Sequence, residues 1–171
     1  MVVGMQKKVL SEIGLYYGDV AMPKHWEIDG VELAHQILQY QIHNKKFPFS
    51  KTWDKLNTYI REHIRLEYNI QLINKKVWGN IYPPNKTTPP LLNNDPVDLR
   101  NSPDYTLLYG VKVDNCLVKI HYDDNRRKGR TWDIPLTNNQ FIMFPSTNMY
   151  HIINDQKDSL NFILTTTYEF I

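Results

Sequence analysis

The stretch Ser159-Leu160-Asn161-Phe162-Ile163-Leu164-Thr165-Thr166-Thr167-Tyr168-Glu169-Phe170 decides the fold class. Leu160, Phe162 and Leu164 fall on one side of an extended chain, and Asn161, Ile163, Thr165 and Thr167 on the other, the period of a strand. Working back from it, further strand-like runs are Gln140–Phe144 with Met149–Ile153 after it, then Arg130–Ile134, Cys116–Tyr122, Tyr105–Val113 and Lys76–Tyr82. Turn-forming pairs separate several of them: Asp114-Asn115, Lys128-Gly129 and Asn138-Asn139. Short strands at regular spacing with turn signals between them predict a barrel or sandwich.

The first part of the chain carries the other period. Asp29-Gly30-Val31-Glu32 has the pattern of a capping box, and Val31, Ala34, Leu38 and Ile42 follow at helical spacing. A second helix is expected from about Ser50 or Thr52, with Trp53, Leu56, Ile60 and Ile64 as its apolar stripe and Asp54, Arg61, Glu62 and Arg65 toward water. Between helices and strands, Tyr82–Asp104 holds Pro83, Pro84, Pro89, Pro90, Pro96 and Pro103, a density that blocks helix and central strand and predicts a long loop. The expected organisation is one domain over 1–171, helical over about 1–72 and a β-barrel over 73–171. In sequence order this is α+β; in its working part it is mainly β.

Composition narrows the function classes. The 171 residues include 20 basic and 18 acidic side chains, a net charge of +2, too balanced to predict a nucleic-acid partner, and none is expected. The one cysteine, Cys116, excludes an internal disulfide and fits a reducing compartment, so a cytoplasmic location is expected. No run approaches the ~20 apolar residues of a membrane span. With seven glycines and no zinc-type cysteine pair, neither a phosphate-cradling loop nor a thiolate metal site is expected. The eleven Tyr, six Phe and four Trp supply a core; Trp78, Tyr82, Tyr105, Tyr109, Phe141, Phe144 and Trp132 are expected to be mostly buried rings.

Two constellations carry candidate chemistry. His121-Tyr122-Asp123 places an imidazole and a carboxylate on one face of a strand, and with His151 supplies two histidines and one carboxylate, the donor set of a non-haem iron site. His25-Trp26-Glu27 repeats nearly the same pattern. Asn125-Arg126-Arg127-Lys128-Gly129-Arg130 gathers four positive charges, and Arg126, Arg127 and Arg130 are candidate anion-binding residues beside Asp123 and Asp124. The same cluster also reads as a charged, solvated hairpin turn.

Val77-Trp78-Gly79-Asn80-Ile81-Tyr82, the proline-rich loop, Tyr105–Val113 and Phe141-Ile142-Met143-Phe144-Pro145-Ser146 together resemble a group of iron- and 2-oxoglutarate-dependent oxygenases common in phages and bacteria. The resemblance spans roughly Lys45 to Ile171. It implies a double-stranded β-helix, or jelly roll, with N-terminal helices packed on one sheet. It also implies Fe(II) and 2-oxoglutarate as cofactors and hydroxylation of a small molecule or a protein side chain. The family's first two ligands map to Asn93 and Asp95, so Asp95 is the candidate carboxylate. The last histidine maps to Tyr150, one residue before His151, and the co-substrate arginine maps to Leu160 or Asn161. In the family about four strands separate the first two ligands from the last, whereas two fit between Asp123 and His151. The resemblance thus points to Trp78, Asn80, Asn93, Tyr109, Tyr150 and Asn161 as cleft-lining residues. It leaves three outcomes open: an oxygenase using His151 with Asp95 or with His121 and Asp123, a cofactor-free jelly roll whose cleft binds a protein or carbohydrate, or a structural brick, for instance of a virus. The face on which Tyr150 and His151 stand divides these outcomes, because one residue of register exchanges the two sides of a strand.

Overall fold

The computed structural model describes residues 4–9, 14–21, 29–43, 51–123 and 129–171. In chain order the elements are β1 (Tyr16–Asp19), α1 (Gly30–His43), α2 (Lys51–Tyr68), β2 (Leu72–Tyr82), β3 (Lys86–Thr87), β4 (Tyr105–Lys112), β5 (Cys116–Asp123), β6 (Gly129–Leu136), β7 (Gln140–Pro145), β8 (Tyr150–Asn154) and β9 (Asn161–Phe170). A one-turn helix at Leu99–Asn101 interrupts the proline-rich loop.

The strands form two antiparallel sheets. The larger has the order β1-β7-β4-β9-β2 and the smaller β3-β8-β5-β6. This is the expected jelly roll, with the helices on the larger sheet. Strand β9 shows why: it pairs with β2 on one side (Trp78↔Thr165) and with β4 on the other (Leu108↔Thr165), and both of its faces are covered. Leu164 and Tyr168 join α1 and α2 in one cluster, while Ile163 joins the residues between the sheets in a second. The alternation read from the sequence therefore separates two cores.

The helices form for local reasons. Asp29 Oδ1 accepts from the Glu32 backbone N–H at 3.0 Å, capping α1. Glu32 accepts from the Thr52 hydroxyl at 2.6 Å and so ties α1 to α2. In α2 the expected stripe is the buried one: Trp53, Leu56, Ile60 and Ile64 are all within the helix-side core. Arg61, expected in water, is half-buried, and its Nε donates to the Leu72 carbonyl at 2.9 Å.

In α1 the buried face differs from the expected one. Leu33 and Ile37 are fully buried, whereas Val31 and Ile42 are 82% and 63% exposed. Both rows are apolar and both have helical spacing. The sheet selects Leu33 and Ile37 because Gly79 of β2 leaves room there: a Cβ on Gly79 would collide with Ile37. Each of these two buried side chains contributes roughly 1.5–3 kcal/mol by removal from water.

The turns are asparagine turns. Asn85, Asn115 and Asn139 have φ of 53°, 44° and 60°, the left-handed region this residue tolerates. Two strands went unforeseen. β1 pairs with the edge of β7 (Tyr17↔Ile142), inside the segment expected to be helical. β3 pairs with β8 for two residues (Thr87↔Ile153) inside the segment expected to be loop. Both are too short to show a period. Among the described residues no helix is long and apolar enough to cross a membrane.

Candidate functional site

Burial alternates along β8: Tyr150, Ile152 and Asn154 are buried, and His151 and Ile153 are half-buried. Tyr150 and Ile152 belong to the core between the sheets, so Tyr150 faces the interior and His151 faces out. The Tyr150 ring meets Phe144 edge-on, 5.1 Å between centroids. Its hydroxyl accepts from Asn93 Nδ2 at 3.1 Å. Burial raises the phenol's pKa, partly offset by that Asn93 contact.

Asn93 reaches the interior because the proline-rich loop is stitched to β8. Leu91 exchanges both backbone hydrogen bonds with Tyr150, at 2.8 and 3.0 Å. Asn93 Nδ2 also donates to Thr106 Oγ1 at 3.1 Å, and Thr106 Oγ1 lies 2.8 Å from Ser146 Oγ. Thr106 and Ser146 are 0% and 1% exposed. Thr167 pairs across from Thr106, and Thr165, two residues earlier on the same face, holds a buried hydroxyl with no partner among the described residues. One end of the sandwich interior is therefore lined by neutral hydroxyls and amides.

A cavity of about 390 Å³ opens onto this wall, bounded by Lys76, Trp78, Asn93, Asp95, Ser102 and Thr167 among others. A separate apolar slot of about 310 Å³ runs between Leu15, Ile120, Trp132 and Phe144. Trp132, expected in the core, is 46% exposed and stands edge-on to Tyr17, 6.2 Å away. On β6, the edge strand of the smaller sheet, it stands across from the buried Ile120 and lines the slot.

The sequence candidates divide between the two faces of the smaller sheet. Cys116, Val118 and Ile120 of β5 point inward, so His121 points outward with His151. The two imidazoles do meet, 4.9 Å apart and T-shaped, but outside the sandwich. His151 Nδ1 lies 3.0 Å from the Thr88 carbonyl, which can only accept, so Nδ1 carries the proton. Asp123 stands at the rim, lining the apolar slot and a second cavity shared with His121 and Arg130. Asp95 and Asn93 line the same polar cavity. Asp95 Oδ1 caps the turn by accepting from the Val97 N–H at 2.9 Å.

Trp78 lines that cavity too. Asn80, with its amide turned, accepts from the Trp78 indole N–H at 3.2 Å. Tyr109 faces the helices rather than the cleft, because it alternates with the interior residue Leu108 on β4; its hydroxyl donates to Asn139. Asn161 is fully buried where β9 begins, its Oδ1 accepting from the Asp114 N–H at 2.9 Å. It lies six residues, roughly 20 Å of strand, from Thr167. Arg126, Arg127 and the His25-Trp26-Glu27 segment lie outside the described residues. Thr106, Ser146, Thr165 and Thr167 were not singled out from the sequence; the consecutive threonines at 165–167 inside an otherwise apolar strand were the available signal.

The architecture and this interior cleft define a double-stranded β-helix of the type found in 2-oxoglutarate- and iron-dependent oxygenases. Among solved structures, the chain is similar to a prolyl-4-hydroxylase from Pseudomonas putida (12% identity, 92% of this chain and 88% of that one, TM-score 0.65). It is similar to the viral collagen prolyl hydroxylase of Paramecium Bursaria Chlorella virus-1 (12%, 99% and 98%, 0.61). It is also similar to the non-heme alpha ketoglutarate dependent epimerase SnoN from nogalamycin biosynthesis (11%, 91% and 77%, 0.63). No protein-family model and no curated protein matches the sequence. At these identities the likeness is one of fold.

The residues at the cleft do not fit iron. A facial triad needs two imidazoles and a carboxylate on one side of the metal. Tyr150, Asn93, Thr106 and Ser146 offer a phenol, an amide and two hydroxyls, already bonded to one another. Among the described residues no group of three or more His, Cys, Asp or Glu is placed to hold a metal ion.

Proposed function

We propose that this protein descends from the 2-oxoglutarate/iron oxygenases and now binds a ligand in the old cleft without oxidising it. The observation that carries this reading is the contact between Tyr150 Oη and Asn93 Nδ2. Tyr150 and Asn93 occupy two of the positions to which the sequence resemblance maps iron ligands. Their meeting at the interior end of the loop supports the mapping. Their chemistry, with a neutral phenol held by a neutral amide, removes the charge that a divalent ion requires.

The alternative of an active hydroxylase would need His151 with Asp95, or His121 with Asp123 and His151, at one metal. His121 and His151 stand on the outer face of the smaller sheet, and Asp95 lines the polar cavity on another side. The ligand of the binding reading is a small molecule or a protein side chain that enters between the two sheets. The polar cavity beside Asn93 and the separate apolar slot beside Trp132 are the two surfaces available for it.

Calorimetric titration with Mn(II), a redox-inert stand-in for Fe(II), tests the reading with and without 2-oxoglutarate. The expected result is no binding at millimolar metal. Micromolar binding that tightens with 2-oxoglutarate and is lost in His151→Ala would overturn it and restore the oxygenase.

A further inference from the structure

We infer that the cavity beside Asn93 takes a small zwitterion with the charge pattern of a free α-amino acid, an inference that rests on the binding reading above. The cavity holds about 390 Å³, within the range of small-molecule sites. Its polar groups come from the proline-rich loop and from strands β2 and β9. Asn93 spends its amide protons on Tyr150 and Thr106, so its oxygen is the end left for a ligand to donate to. Thr167 is 3% exposed and lines the cavity, and among the described residues no hydrogen bond of its hydroxyl is found.

The two charges are Lys76 and Asp95. A register shift between Asn74 and Lys76 on β2 brings both Lys75 and Lys76 to this rim, as a bulge does. Lys75 is engaged: it pairs with Glu169 at 2.9 Å and donates to the Asn101 carbonyl. Lys76 is left facing the cavity. Asp95 lines the same cavity; its backbone N–H donates to Ser102 Oγ at 2.7 Å, and its Oδ1 accepts from the Val97 N–H at 2.9 Å. The indole of Trp78 lines the same cavity and supplies an apolar surface.

This arrangement selects by charge pattern rather than by net charge. A carboxylate alone would gain Lys76 and be repelled by Asp95; an amine alone would meet the reverse. A molecule with both groups is attracted by both side chains, donates from its ammonium to Asn93 Oδ1 and Asp95, and lays its side chain on Trp78.

The experiment is a calorimetric comparison of L-norvaline, pentanoate and butylamine, which share a chain and differ in their charges. The expected result is that norvaline binds at least about tenfold more tightly than either single-charge analogue. Lys76→Gln should bring norvaline down to butylamine, and Asp95→Asn should bring it down to pentanoate. Both residues are exposed, so both variants should fold, which circular dichroism checks. Equal binding of pentanoate or butylamine, or no binding of any of the three, overturns the zwitterion. Mn(II) binding with 2-oxoglutarate overturns the binding reading instead, so the two failures are distinguishable.

Discussion

Tyr150 and Asn93, 57 residues apart in sequence, meet through one hydrogen bond of 3.1 Å at the interior end of the proline-rich loop. The contact exists because Leu91 pairs with Tyr150 through the backbone, which fixes where the loop enters the sandwich. If these are former ligand positions, histidines placed there should recover a metal site with Asp95. Asn93→His combined with Tyr150→His is expected to bind Mn(II) at least about tenfold more tightly than the wild type. Electron paramagnetic resonance of the free ion reads this directly. A folded double variant with no gain would mean that the two positions do not converge on a ligand geometry.

The hydroxyls behind that contact are structural. Thr106 joins Asn93 to Ser146, and both hydroxyl residues are buried. Thr106→Val keeps the shape and removes both bonds, leaving the Ser146 hydroxyl unpaired. A loss of about 1–3 kcal/mol in urea unfolding is expected, and less than about 1 kcal/mol for Thr106→Ser. Equal losses for the two variants would show that packing rather than hydrogen bonding dominates there.

Gly110 tests the close approach of β4 to the β6–β7 turn. A Cβ there would run into the Thr137 carbonyl and Val113, and the first is backbone that cannot rotate away. Gly110→Ala should therefore cost about 1–3 kcal/mol, seen as a lower urea midpoint at unchanged slope. Gly18→Ala meets only Phe141 at 3.6 Å and serves as the control with little change.

The sequence carried the strands better than the site, for physical reasons visible in single residues. Period-2 patterns over β9 and the helical stripe Trp53, Leu56, Ile60 and Ile64 are long enough to assign element and face together. α1 is apolar on two faces, and its buried row depends on Gly79, which belongs to another element. β1 and β3 are defined by their partners rather than by any pattern of their own. In the cleft, the mapping of Asn93 and Asp95 brought together residues that share a cavity. The His121, Asp123 and His151 spacing brought together a real pair of imidazoles, but strand spacing fixes only that residues share a face, and the choice of face came from Ile120 and Tyr150 filling the interior.

Burial also sets a pH dependence. Burial pushes the Cys116 thiol from 9.0 up to about 12. Burial raises the phenols of Tyr82, Tyr109 and Tyr168 well above their ordinary 10.0. These groups keep their protons in the folded chain and release them in the unfolded one. The folded state thus binds more protons above those ordinary values, and stability falls as pH rises. It should be full below about pH 9, decline first as the unfolded thiol ionises, and decline more steeply as the unfolded phenols follow, by up to about 1.4 kcal/mol per pH unit for each group. Melting temperatures between pH 7 and 11 should trace that decline, and phenolate absorbance from the buried tyrosines should appear only with unfolding. The native thiol should also resist a disulfide reagent at pH 8, since the neutral, buried form is a poor nucleophile. A flat melting temperature up to pH 11, or rapid thiol labelling of the folded protein, would place these side chains in contact with water and contradict the core described for both sides of the larger sheet.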